Sequence, residues 1–93
     1  MFTTKLSEQD ILVQKMTENL PVLRKKLKLT QEELAVIIGS SRHTVMQIES
    51  GKRKMTWSTF LSLVLLFEKN ESTAMLLRAF EVYTPGLENI LTR

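Results

Sequence analysis

Arg42, His43 and Gln47 are polar side chains whose spacing brings them to one side of a helix predicted over residues 42–50. An arginine can donate two hydrogen bonds to a guanine edge, and a glutamine can pair with adenine through two hydrogen bonds. Each such pair discriminates between bases by roughly 1–3 kcal/mol, and a histidine can reach a base or a phosphate. Taken one at a time, each of the three is better explained as an ordinary exposed side chain, so the surrounding elements must decide.

Residues that suit phosphate binding flank these three. Hydroxyl and cationic side chains beside a reading helix fix its position without selecting a sequence, and unpaired amides at a helix N-terminus favour a phosphate. The candidates are Gln31, Ser41, Thr44, Lys52 and Arg53. Residues 19–54 carry eight Lys or Arg against three Glu, whereas residues 55–93 carry three against four. This basic surplus fits a surface that meets phosphates, although charge alone fits an ordinary solvated face equally well.

Two short helices joined by a tight turn are predicted to position the candidate residues. Thr30 opens a capping-box pattern, which predicts a helix over residues 31–38. Gly39 can take the positive φ that ends a helix, and Ser41 can cap the next helix over residues 42–50. Two short helices with a glycine in the turn between them are typical of a helix-turn-helix, whose second helix enters the major groove of DNA.

Apolar residues recur at intervals of three and four along the rest of the chain, which predicts an all-α fold. Pro21 lacks a backbone donor, so it should either begin a new helix or kink a continuous one. The further predicted helices lie at about residues 8–19, from Pro21 onward, from a Thr56 cap to Phe67, from a Ser72 cap over Thr73 to Phe80, and in a terminal piece that begins near Pro85.

A distinctive series of residues runs from Leu23 to Lys54. It consists of Leu29-Thr30-Gln31-x-x-Leu34-Ala35, the turn residue Gly39, Val45, and Ile48-Glu49-x-Gly51-Lys52-Arg53. This series closely resembles the Cro and repressor helix-turn-helix family known as XRE, and the resemblance runs without gaps to about Phe67. It implies a lambda-repressor-like five-helix domain over about residues 20–68. With the extra N-terminal helix and a short C-terminal helical extension over 69–93, we predict a single domain over residues 1–93.

The resemblance also implies a function. Family members bind double-stranded DNA, usually as dimers, and the helices at 31–38 and 42–50 correspond to the family's motif. We therefore expect a cytoplasmic transcriptional regulator, a repressor by analogy, that binds a palindromic site as a homodimer. In the family the position of Gln31 contacts the DNA backbone, and the acid at Glu49 is structural, for which Arg24 is a possible partner here.

Several apolar residues depart from the family pattern. Val36, Ile37 and Leu65 stand where polar side chains are usual, and the helix over 57–67 is apolar almost all round. One hypothesis is a twofold dimer interface formed by Leu65, Leu66, Met75, Leu76, Leu77 and Phe80. Packing within one chain is an equally good explanation in a domain of this size.

Other classes of function have less support in the sequence. The chain has one histidine, one aspartate and no cysteine, so we expect no catalytic centre, no metal site and no cofactor. The longest apolar stretch is too short to cross a bilayer, so no membrane association is expected.

The main alternative to a simple repressor is an antitoxin. Antitoxins of toxin–antitoxin pairs often use this fold to bind operator DNA and bind a small protein partner, the toxin, through another part of their surface. RNA binding is disfavoured because the predicted helix over residues 42–50 has no aromatic side chains on which bases could stack.

Overall fold

Side-chain caps begin five of the six helices. The hydroxyl groups of Ser7, Thr30, Ser41, Thr56 and Thr84 each accept a hydrogen bond from the backbone amide three residues later. The computed structural model describes residues 7–92, and within this range all regular structure is helical. The helices are α1 (Glu8–Lys26), α2 (Gln31–Ile38), α3 (Arg42–Glu49), α4 (Trp57–Glu68), α5 (Glu71–Ala79) and α6 (Pro85–Leu91). The predicted all-α, lambda-repressor-like class is confirmed.

The first helix is continuous through Pro21, so the separate helix predicted over residues 8–19 is wrong in its C-terminal boundary. A proline inside a helix removes a backbone hydrogen bond at a cost of about 3 kcal/mol. Leu20 and Leu23 are fully buried on either side of it, and burying two leucine side chains contributes roughly 3–6 kcal/mol. Core packing therefore keeps this segment helical against its local preference.

The two short helices lie where the caps and the turn glycine predicted them. The backbone N–H of Thr30 donates to the Glu33 carboxylate at 2.8 Å, which completes the capping box. Gly39 has a φ of 69° at the end of α2, in the left-handed region that favours glycine. Ser41 caps α3 only two residues later, so α2 and α3 pack against each other directly.

One apolar core holds these short helices to the longer ones. It is formed by the buried face of α1, two buried residues from each of α2 and α3, the inner face of α4, and single leucines from α5 and α6. Trp57 stacks on Phe60 at the start of α4, with ring centroids 4.7 Å apart. Each of α2 and α3 therefore has a narrow buried face and a wide exposed one.

The fifth helix begins earlier than predicted. Asn70, not Ser72, occupies the N-cap position, and the predicted cap Ser72 lies exposed in the first turn. The Asn70 side chain donates to the Leu66 carbonyl at the end of α4 instead of capping α5. The buried Thr73 hydroxyl contacts the Phe67 carbonyl at 2.7 Å, which fixes the start of α5 against the end of α4.

The apolar stripe on α5 corrects part of the dimer hypothesis. Leu77 is fully buried within its own chain, and Leu66, Leu76 and Phe80 pack against the core. Only Met75 and Leu65 of the six predicted interface residues are largely exposed.

None of the helices within residues 7–92 combines the length and the apolar character that crossing a membrane requires.

Candidate nucleic-acid interface

The outward side of α3 presents the predicted base-reading residues. Arg42 and His43 are the first two residues of the helix and are exposed, and Gln47 is half-buried one turn further on. Val45 and Ile48 are buried and face the core. The side chains of Arg42, His43 and Gln47 make no hydrogen bond to any residue between 7 and 92, so their polar groups are available to a ligand.

Three of the predicted phosphate-binding residues meet at the N-terminus of α3. The Ser41 hydroxyl accepts from the Thr44 amide at 3.1 Å and also contacts the Thr44 hydroxyl at 2.9 Å. Arg53 Nη1 donates to the same Thr44 hydroxyl at 3.1 Å. A guanidinium and two hydroxyls thus lie beside the positive end of a helix dipole, an arrangement that favours an anionic oxygen.

The loop after α3 returns toward that helix. Gly51 has a φ of 80°, again in the left-handed region. The backbone amides of Lys52 and Arg53 both donate to the Gln47 carbonyl, at 2.9 and 3.2 Å. This fold-back keeps the loop close to α3, where the exposed Lys52 and Arg53 side chains add positive charge.

A buried ion pair fixes the orientation of α3. Arg24 on α1 donates to the Glu49 carboxylate through Nε at 2.7 Å and Nη2 at 3.1 Å, and through Nη1 to the Leu29 carbonyl at 2.8 Å. Gln31 Nε2 adds a third hydrogen bond to Glu49, at 3.1 Å. Glu49 therefore acts within the domain, as predicted, and its negative charge is matched by Arg24.

Gln31 and Arg42 lie on the other side of α3 from Arg53. Together with Arg24, Thr30 and Glu32 they line one shallow groove at the start of α2. The side-chain amide of Gln31 donates to Glu49, and Gln31 is half-buried. Five of the eight predicted contact residues thus form two groups, with Ser41, Thr44 and Arg53 at one side of α3 and Gln31 and Arg42 at the other. His43 is exposed between the groups, Gln47 lies one turn further along α3, and Lys52 makes no side-chain hydrogen bond to the described residues.

Two features of this surface were not predicted from the sequence. Lys54 donates to Asp10 on α1 at 2.7 Å, and this hydrogen bond lowers the pKa of the Asp10 carboxyl. Met46 is 39% exposed in the middle of α3, although methionine is usually buried. The spacing along the helix could have revealed the exposure of Met46. Because a helix turns about 100° per residue, Met46 lies near the outward His43 and away from the inward Val45.

The arrangement is suited to binding. Within residues 7–92, no three His, Cys, Asp or Glu side chains come together as a group that could hold a metal ion. What the site provides is hydrogen-bond donors, cations and a helix that stands out from the core. These are the features with which proteins bind the major groove and the adjacent phosphates of DNA.

Comparison with protein families identifies this part of the chain. Residues 23–66 match the family model described as Helix-turn-helix, and the match includes α2, the turn at Gly39, α3 and most of α4. No significant match was found among curated proteins or among solved structures. Residues 23–66 therefore form a helix-turn-helix DNA-binding domain, and over this segment the match supports the resemblance to the XRE and Cro-C1 family.

Proposed function

We propose that this protein is a sequence-specific transcriptional regulator, a cytoplasmic repressor, which inserts α3 into the major groove of double-stranded DNA. The observation that carries this proposal is the outward face of α3, where the side chains of Arg42, His43 and Gln47 make no hydrogen bond to residues 7–92. By contrast, the carboxylate of the neighbouring Glu49 accepts three hydrogen bonds within the domain.

The two flanking groups support a fixed position of α3 on the duplex. Ser41, Thr44, Lys52 and Arg53 would contact phosphates on one side of the groove, and Gln31 at the start of α2 would contact the backbone on the other side. Phosphate contacts position a protein without selecting a sequence, and base contacts select it. Arg42 would donate to a guanine and Gln47 would pair with an adenine, while His43 reaches a base between them.

A homodimer on a palindromic site is the second part of the proposal. Leu65 on α4 is 63% exposed, and Val36 and Ile37 on α2 are exposed as well. Ile37 and Leu65 line a common groove between the two helices. A twofold contact through this face would place two copies of α3 on half-sites about one helical turn apart, roughly 34–36 Å.

Sedimentation tests the dimer separately from DNA binding. Wild type should sediment as a dimer at micromolar concentration, and Leu65→Glu should be monomeric because a charge would have to be buried at the contact. Val22→Glu changes an exposed residue on α1, outside the predicted interface, and should remain dimeric. A strict monomer in the absence of DNA contradicts a stable dimer.

An antitoxin role is the alternative function, and a specific observation supports it. Apolar grooves lie on both sides of Leu65, one toward Ile37 and one toward Leu61 and Leu91. A small protein partner could cover more of this surface than a single twofold contact would. Purification from the native host would distinguish the two, since an antitoxin brings a stoichiometric toxin with it and a simple repressor is recovered as a homodimer.

The proposal is tested by selecting bound duplexes from random double-stranded DNA over a series of salt concentrations. Wild type should enrich a palindromic sequence, and its affinity should fall steeply with salt because phosphate contacts release counterions. Arg42→Ala combined with Gln47→Ala should lose the sequence preference and keep weak, salt-dependent binding. The matched control, Gln9→Ala with Arg78→Ala, removes one amide and one guanidinium from exposed positions outside α3 and should behave as wild type.

A further inference from the structure

Met46 is an apolar side chain on an otherwise polar binding surface. It is 39% exposed, whereas the two other apolar residues of α3, Val45 and Ile48, are buried. Since a helix turns about 100° per residue, Met46 lies outside the arc that Val45 and Ile48 define and on the same side as His43. An apolar group here therefore faces whatever α3 binds.

The fold covers this side chain only in part. Other exposed apolar residues, such as Ile37 and Leu65, share a groove with Ile38 and Leu66 between α2 and α4. Met46 does not line that groove, and its neighbours one turn away on α3 are the polar Arg42 and His43. Its partner must therefore be an apolar group presented among polar ones.

The major groove of DNA presents one such group. The C5 methyl of thymine stands beside hydrogen-bonding base edges, and an apolar side chain contacts it favourably. Methionine suits this contact because its unbranched thioether adapts to the shape of its partner. We infer that Met46 is a specificity-determining residue that reads a thymine methyl group next to the bases contacted by His43 and Gln47. This inference rests on the proposed function and extends it to one base type.

Deoxyuridine provides the test, because it pairs like thymine and lacks only the methyl group. Each thymine of the selected sequence is replaced in turn by deoxyuridine, and binding is measured for wild type, Met46→Ala and Met75→Ala. At one position in each half-site, the replacement should weaken wild-type binding about fourfold, the effect of one buried methyl-sized group. Met46→Ala should bind the thymine and deoxyuridine duplexes equally well.

Met75→Ala is the matched control, since it truncates an exposed methionine on α5 and should keep the wild-type ratio. Thermal unfolding of each variant establishes that the exposed substitutions leave the fold intact. If Met46→Ala keeps the wild-type ratio at every thymine, or if the selected sequence contains no thymine, the inference is wrong and the proposed function stands. If wild type selects no sequence at all, the proposed function fails and the inference fails with it.

Discussion

Two arginine–glutamate ion pairs with nearly the same geometry lie in different halves of this molecule. Arg24 and Glu49 join α1 to α3 through contacts of 2.7 and 3.1 Å, and Arg78 and Glu68 join α5 to α4 through contacts of 2.6 and 3.1 Å. The first pair is nearly buried, with side chains 11% and 7% exposed, and the second is 52% and 26% exposed. Burial, and not geometry, distinguishes the two.

The difference reflects how each half is held together. In the helix-turn-helix half, α2 and α3 bury only two residues each, so caps and the Arg24–Glu49 pair must fix their orientation. In the C-terminal half, α4 alone buries four residues, including Phe60 and Phe67, and the ion pair lies outside this packing. Because one face of α3 stays exposed and adds no packing, polar contacts at the ends of this helix hold it in place.

The largest expected effect comes from breaking the buried pair. Glu49→Ala leaves the Arg24 guanidinium buried without its partner and should reduce the free energy of unfolding by about 3 kcal/mol. Glu68→Ala removes an exposed partner of the same geometry and should cost about 0.5 kcal/mol. Urea denaturation at one protein concentration measures both, and equal losses would contradict the contrast between the halves.

An intermediate effect is expected from the helix caps. Thr30→Ala removes the hydroxyl that accepts from the Glu33 amide and should cost about 1 kcal/mol. Ser72→Ala is the control in the C-terminal half, because Ser72 is exposed and caps nothing, so its loss should stay within about 0.5 kcal/mol. A larger loss for Ser72→Ala than for Thr30→Ala would mean that α5 begins at the position first predicted from the sequence.

The smallest effect concerns Tyr83, the one tyrosine of the chain. Its hydroxyl donates to Glu88 at 2.7 Å, and this hydrogen bond raises the pKa of Tyr83 above its ordinary value of about 10. The stabilisation it gives is present below the unfolded-state pKa and is lost as the pH rises through the higher folded-state pKa. Absorbance titration should show the raised pKa in wild type and a fall toward 10 in Glu88→Gln; an unchanged pKa in that variant would exclude Glu88 as the cause.

The helix-turn-helix half was largely predictable from the sequence because its structure depends on residues with local meaning. Thr30, Gly39 and Ser41 each set a helix boundary through their own backbone or side chain, and α2 and α3 lie where these residues placed them. The partnership of Glu49 with Arg24 was also anticipated. The base and phosphate contacts of the eight candidate residues remain predictions.

The errors occur where tertiary packing overrides local preference. Pro21 indicated either a helix boundary or a kink, and the boundary predicted at about residue 19 is wrong because the buried Leu20 and Leu23 keep α1 helical through the proline. Ser72 was predicted to cap α5, but α5 begins at Glu71. The Thr73 hydroxyl donates to the Phe67 carbonyl at the end of α4, and this contact fixes the start of α5. The apolar spacing of Leu77 could not distinguish a dimer face from the core, and the exposure of Met46 depends on the rotation of α3 about its axis.

We propose that the α3 side of the molecule, and not the α4–α6 side, meets DNA. Backbone amide chemical shifts, measured by NMR as a duplex carrying the selected sequence is added, test this residue by residue. We predict that the largest changes fall on residues 41–53 and at the start of α2, around Gln31. Changes concentrated on α4, α5 and α6, with α3 unaffected, would show that α3 does not meet DNA.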